Sequence, residues 1–233
     1  MADDALTSLI GLLEGVHHFS TEIFPENQAL FMDLAGGQSP HTLFITCADS
    51  RISTGMITQS GPGSLFVLRN IGNIVPAYGE MLGGVSAAIE YAVSAIGVKN
   101  IIVCGHSDCG AMKAMLHPVE HGLPSMPTVS SWLRSAEAAL AVTHALRPGD
   151  DEHDVLSTLV EQNVLLQLAH LRTHPAVAAR VAEARLTLQG WVYDIRHGVI
   201  QVLDEQSRRA ISVGQALVQL RNAGSHERQA GTR

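Results

Sequence analysis

Two short segments carry the residue types that do chemistry. One is Cys47-Ala48-Asp49-Ser50-Arg51 and the other is Gly105-His106-Ser107-Asp108-Cys109-Gly110. Cys47 and Cys109 offer thiolates and His106 an imidazole, a donor set of soft sulfur and borderline nitrogen that suits Zn2+. Two residues separate His106 from Cys109, so a single turn of chain can aim both at one ion. Three protein ligands leave a fourth position on zinc open, which marks a catalytic site and not a structural one. Cys109 falls where a helix is predicted to begin, and a helix N-terminus favours a thiolate. Taken one at a time, each of these residues is more often packed than ligating, since a buried cysteine behaves as a small hydrophobe. Their shared place at strand ends, with Asp49 and Arg51 attached to the first segment, tips the balance toward a metal site. A redox pair is the competing reading, but the chain contains no Cys-x-x-Cys. Cys104, inside an apolar run, reads as structural. The remaining eleven histidines read as ordinary surface or core residues.

The elements that must position these groups are legible as apolar runs. Thr42-Leu43-Phe44-Ile45-Thr46-Cys47, Ser64-Leu65-Phe66-Val67-Leu68 and Ile101-Ile102-Val103-Cys104 read as buried strands. Trp191-Val192-Tyr193-Asp194-Ile195 and Val199-Ile200-Gln201-Val202-Leu203 form a late strand pair around His197-Gly198. Between them, helices are predicted over residues 83–96, 107–116, 126–144 and 155–173, and Pro175 opens another, being well placed in a first turn. Residues 6–34 read as two amphipathic helices broken near Ser20-Thr21 and Pro25. Continuous apolar strands alternating with helices predict an α/β fold with a mainly parallel central sheet flanked by helices. Sites in such sheets gather at the carboxyl ends of strands, where Cys47 and Gly105-His106 lie. The predicted organisation is an N-terminal helical arm (1–35), a zinc-binding α/β catalytic domain (36–222) and a polar, flexible tail (223–233).

The bulk numbers narrow the function classes. The chain has 233 residues, 46% of them apolar and 16% charged, an ordinary globular balance. Its net charge of −7, with basic residues concentrated only in a diluted C-terminal stretch, excludes a nucleic-acid partner. No apolar run approaches the roughly 20 residues that span a bilayer; the longest, 155–171, is broken by Glu161, Gln162, Asn163, Gln167 and His170. The acidic start Met1-Ala2-Asp3-Asp4 is unlike a secretory signal, so a cytoplasmic location is expected. Three cysteines, an odd number, argue against a disulfide framework.

Cys-Ala-Asp-Ser-Arg, followed 59 positions after its first residue by the first residue of His-Ser-Asp-Cys-Gly, resembles the paired signature of the β-class carbonic anhydrases. The likeness extends to Gly37-Gln38-Ser39-Pro40, to Phe66-Val67-Leu68-Arg69-Asn70-Ile71-Gly72-Asn73, to Ala88-Ile89-Glu90-Tyr91-Ala92 and to Gly190-Trp191-Val192-Tyr193-Asp194. It covers roughly residues 5–205 and is nearest the plant-type and bacterial cyanate-associated branch. The resemblance implies zinc-dependent reversible hydration of carbon dioxide to bicarbonate. It implies zinc ligands Cys47, His106 and Cys109 and a catalytic dyad Asp49 and Arg51. It implies substrate contacts from Gln38, whose amide would hydrogen-bond substrate, from Phe66, Ile71 and Tyr91, lining an apolar pocket across a dimer interface, and from the backbone N–H of Gly110. It also implies a homodimer or larger homo-oligomer, with the N-terminal helices packed on a partner. The alternatives are a carbonyl sulfide or carbon disulfide hydrolase using the same ligands, or a non-catalytic zinc-binding regulator, which loss of Asp49 or Arg51 would favour. Two positions depart from the usual pattern, Ala48 and Asp108. The Asp108 side chain is expected to point into solvent.

Overall fold

The structure is a computed structural model that describes residues 2–230 apart from 82, 148 and 150, with side chains described from residue 4 to residue 222. The chain divides into two compact units, Met1–Ser39 and Pro40–Arg233.

The first unit is almost wholly helical: α1 (Ala2–His18), a π turn (Phe19–Ile23), the single turn α2 (Phe24–Glu26) and α3 (Gln28–Ala35). The break expected at Ser20-Thr21 does not occur. Both hydroxyls fold back on the helix, Ser20 donating to the Val16 carbonyl at 3.0 Å and Thr21 to that of His17 at 3.1 Å. The backbone widens into the π turn there and carries on. The interruption comes at Asn27 (φ −112, ψ 19), whose side chain donates to the Ile23 carbonyl at 2.8 Å. Phe19, Phe24 and Phe31 pack together, with ring centroids 5.5 Å apart for Phe19–Phe31 and 5.2 Å for Phe24–Phe31. Leu6, Leu9, Ile10, Leu13 and Val16 recur at helical spacing and are all exposed.

The second unit is built on a six-stranded sheet in the order β2-β1-β3-β4-β5-β6. Its elements, in chain order, are β1 (Thr42–Cys47), α4 (Thr54–Thr58), β2 (Leu65–Asn70), α5 (Gly84–Glu90), β3 (Asn100–His106), α6 (Gly110–Leu116), α7 (Pro127–Leu133), α8 (Glu137–Leu146), α9 (Glu152–Leu171), α10 (Pro175–Ala182), β4 (Thr187–Asp194), β5 (Val199–Asp204), β6 (Arg209–Ser212) and α11 (Val213–Ala230). β2, β1, β3 and β4 run parallel, while β5 and β6 add antiparallel pairs, so the sheet is mixed with a parallel majority. β1 is buried at every residue, which is why it reads as an unbroken apolar run with no alternation. Leu43, Ile45, Ile101 and Val103 join one core with Val164 and Leu168 of α9, and Phe44, Ile102 and Cys104 form a separate cluster against Trp191.

The helix expected over 126–144 is divided by a 3-10 turn (Arg134–Ala136) between α7 and α8. α9 lies hard on the sheet through two glycines. A Cβ on Gly105 would come within 2.8 Å of a Val164 methyl, and one on Gly190 within 2.7 Å of the other. Among the described residues no helix is long and apolar enough to cross a membrane.

Candidate metal centre

The fold brings the two chemical segments together by strand adjacency. β1 and β3 are neighbouring parallel strands with Thr46 opposite Cys104, so Cys47 and His106 emerge at the same edge. Cys47 ends β1, His106 ends β3, and Cys109 (φ −67, ψ 119) is the residue from which α6 starts. The two Sγ atoms and a ring nitrogen of His106 all lie within 4.8 Å of one another, and all three residues are buried.

The His106 ring is oriented for a cation. Its Nδ1 is 2.9 Å from the Ser107 carbonyl. A carbonyl only accepts, so Nδ1 carries the hydrogen and Nε2 presents a lone pair. That Nε2 is buried and has no hydrogen-bond partner. An orphaned buried acceptor is costly, and a metal ion between the sulfurs and this nitrogen accounts for it. The sulfurs behave accordingly. The hydrogen bond with Cys109, helped by the backbone N–H groups of Gly72 and Asp49, pushes the Cys47 thiol down to about 4 against the effect of burial. Cys109 moves the opposite way, because it donates to Cys47 and is buried. Two sulfurs sharing one proton are a site that a divalent cation completes by displacing it. Cys104, pushed up to about 12 by burial, is an inert thiol.

Beside these groups lies a fork-on-fork ion pair. Arg51 Nε donates to Asp49 Oδ1 at 2.9 Å, Nη2 donates to Oδ2 at 2.7 Å, and the Arg51 backbone N–H adds a bond to Oδ1 at 3.0 Å. Arg51 holds the Asp49 carboxyl well below the usual carboxylate range. The sign follows: the stabilisation is present above the ordinary aspartate value of about 3.9 and fades only as the pH falls below it. With Arg51 44% exposed, the pair contributes little to folding. Its value is in where it puts the carboxylate, with Asp49 Oδ2 3.9 Å from His106 Nε2.

Asp108 is exposed, as expected, with 53% of its side chain accessible, but it is not without partners. Its backbone is left-handed (φ 60), which turns the carboxylate back over the ligand loop. There it accepts from Arg51 Nη1 at 3.1 Å and pairs with Lys113, while its carbonyl accepts from Arg51 Nη2 at 3.3 Å. This contact spans 57 residues, and no local pattern announces it.

Gln38 is an exposed loop residue at the end of the first unit. Gly110 is the first residue of α6, directly after Cys109. Ile71 follows Asn70, the register partner of Cys47, and is 43% exposed. Phe66 and Tyr91 form one patch, their rings 6.1 Å apart with Tyr91 51% exposed. Phe66 pairs with Leu43, four residues before Cys47, which places it about 13 Å along the sheet from that ligand at the usual strand rise. Sequence reading missed the parts played by Gly72, a left-handed glycine packed against Ala111 just past Cys109, and by Arg69, whose guanidinium braces the loop by donating to the Cys47 carbonyl at 3.2 Å and to that of Ile52. A glycine after Asn70-Ile71 in the extended motif was the available signal for the first.

Residues 42–200 match the family model described as carbonic anhydrase. The structure of the β-carbonic anhydrase CcaA superimposes with a TM-score of 0.84 at 39% identity, covering 88% of this chain and 99% of that one. The chain belongs to the β-class carbonic anhydrase family. A carbonic anhydrase of Pseudomonas aeruginosa is 48% identical over 204 residues, 88% of this chain and 91% of that protein. One of two structures described as tetrameric β-carbonic anhydrases of Sordaria macrospora matches with a TM-score of 0.72 at 31% identity, covering 84% of this chain and 97% of that one. This carbonic anhydrase is therefore a carbonate dehydratase: it interconverts carbon dioxide and bicarbonate and uses zinc. Its small, uncharged substrate needs no large cleft, only a dry approach to the metal.

Proposed function

We propose that Cys47, His106 and Cys109 hold the catalytic zinc, and that Asp49 and Arg51 organise hydration of carbon dioxide at its open position. The observation that carries this is the buried, unpartnered His106 Nε2 converging with two sulfurs beside the paired Asp49 carboxylate. Zinc in such a site supplies the charge that makes water a nucleophile near neutral pH. Asp49, kept ionised by Arg51, accepts a hydrogen bond from that nucleophile and fixes its lone pair toward carbon dioxide. Arg51 occupies both Asp49 oxygens and so keeps the carboxylate off the metal. The Gly110 backbone N–H serves as a donor to a substrate oxygen, and Ile71 forms an apolar wall. Dialysis against a strong chelator is expected to abolish hydration, and one equivalent of zinc is expected to restore it. Hydration that survives metal removal would overturn this reading.

The exposed stripe of α1 and the patch formed by half-buried Phe66 and exposed Tyr91 support a homodimer as the working unit, with Phe66 and Tyr91 as walls of a partner's pocket; the free cysteines support the cytoplasm as its place. The α1 stripe has five large apolar side chains in the open, a surface that a second copy would cover. The three free cysteines suit a reducing compartment. Replacing Leu9 and Leu13 with Asp is expected to lower the mass seen by light scattering and to cut activity with it. A native protein that is fully active at the mass of one chain would refute the dimer.

A further inference from the structure

Helix α9 carries a polar stripe on a buried face. Asn163, Gln167 and His170 recur at helical spacing, and His174 continues the series just past the helix end. Asn163 is 1% exposed and Gln167 0%. Buried amides are costly unless they find partners. These do, and the partners belong to one segment of backbone. Asn163 Nδ2 donates to the Gly72 carbonyl at 3.0 Å, and Gln167 Nε2 donates to Asn163 Oδ1 at 2.7 Å. The Val75 N–H donates to Gln167 Oε1 at 2.8 Å. His170 Nδ1 lies 2.7 Å from the Val75 carbonyl and His174 Nε2 lies 3.0 Å from that of Pro76. The Tyr78 N–H donates to Thr173 Oγ1 at 2.8 Å. One helix face thus grips the backbone from 72 to 78 group by group.

That segment leaves β2 at Asn70, the register partner of Cys47. Gly72 (φ +74) is wedged against the helix that starts at Cys109: a Cβ there would lie 3.1 Å from the Ala111 Cβ. Its carbonyl is held by Asn163, and two residues earlier the Asn70 carbonyl accepts from the N–H of Ala48, next to Cys47, at 2.8 Å. Apolar side chains at 163 and 167 would fill the same space without fixing this turn.

We propose that Asn163 and Gln167 are positioning residues of the metal centre, holding the Gly72 turn against the strand end at Cys47 and against the helix that begins after Cys109. The inference rests on the reading of Cys47 as a zinc ligand. The groups packed behind a metal ligand fix its direction, and loss of such outer support weakens metal binding.

The test is the rate at which zinc-loaded protein gives up its metal to an excess of a chromogenic chelator, well below the melting temperature. Gln167→Met keeps the length of the side chain and removes its hydrogen bonds. Val177→Ala, a buried position on α10, serves as a packing control of similar or greater loss in melting temperature. Gln167→Met is expected to release zinc about 10- to 100-fold faster than the native chain, with Val177→Ala within about twofold of native. Equal release from the two variants overturns the inference alone. A native chain that takes up no zinc overturns it together with the metal-centre reading. Should Gln167→Met not fold, hydrogen exchange of the native protein decides: Val75 and Tyr78 amides exchanging only with global unfolding support the grip, and exchange as fast as that of exposed loop amides overturns it.

Discussion

Cys109→Ala is expected to lose zinc and carbon dioxide hydration together, with metal content falling from one ion per chain to near none. The substitution removes one of three donors, and the two that remain cannot hold zinc against solvent. It should not unfold the chain. Cys109 is small and buried, and alanine occupies nearly its space without an unsatisfied polar atom. The melting temperature of the metal-free variant should therefore match that of metal-free native protein, which separates loss of a ligand from loss of fold. Cys104→Ala is the internal control. Cys104 lies in a different core cluster from Cys47 and Cys109, so that variant should keep its zinc. Full zinc occupancy in Cys109→Ala would defeat the assignment.

Arg51→Ala is expected to do the reverse, keeping zinc and collapsing turnover by on the order of 100-fold, the usual cost of misplacing a reacting group. With the guanidinium gone, Asp49 loses the donors to both of its oxygens. Its Oδ2 already lies 3.9 Å from His106 Nε2, and carboxylate oxygen is an acceptable zinc ligand. The freed carboxylate can then cap the open position. Folding should suffer little, since Arg51 is half exposed and such pairs contribute at most about 1 kcal/mol. If Arg51 only braced the loop through Asp108, the variant would show the opposite pattern, a lower melting temperature with turnover intact. Zinc content, melting temperature and hydration rate on this one protein separate the two, and near-native turnover ends the dyad reading.

The sequence was most readable where burial is uniform. β1 and β3 announced themselves because both of their faces are covered, and apolar runs of that kind have few other uses. The metal-binding segments were readable for a different reason: cysteine and histidine at strand ends are few enough for their chemistry to stand out. Elements with weak patterns were lost. β6, Arg209-Ala210-Ile211-Ser212, is short and half polar, and nothing in four such residues marks a strand. The π turn at Phe19–Ile23 could not be foreseen from hydroxyl residues that usually signal an end. The larger omission was the polar stripe of α9. Asn163, Gln167 and His170 read as interruptions of an apolar run, and His174 as one more unremarked histidine, because their partners lie some ninety residues away in sequence. Their regular spacing was visible; what it faced was not. Asp108 belongs with them, its two cationic partners being brought over it by a left-handed turn that composition does not encode.

Two of the proposed zinc ligands, Cys47 and His106, end strands that are neighbours in space, yet they are 59 residues apart along the chain. Between them come β2, the gripped 72–78 segment and α5, all of which lie in the loop that closes when β3 docks beside β1. Closing so long an intervening loop is an entropic cost met before any long-range pairing rewards it. The pocket for the ion thus forms late, once the parallel pairing is complete, and cannot serve as a seed for collapse. An ion captured at that stage acts on the way out and not on the way in. It slows unfolding while leaving the rate of folding nearly unchanged, so its stabilising effect appears as lifetime of the native state.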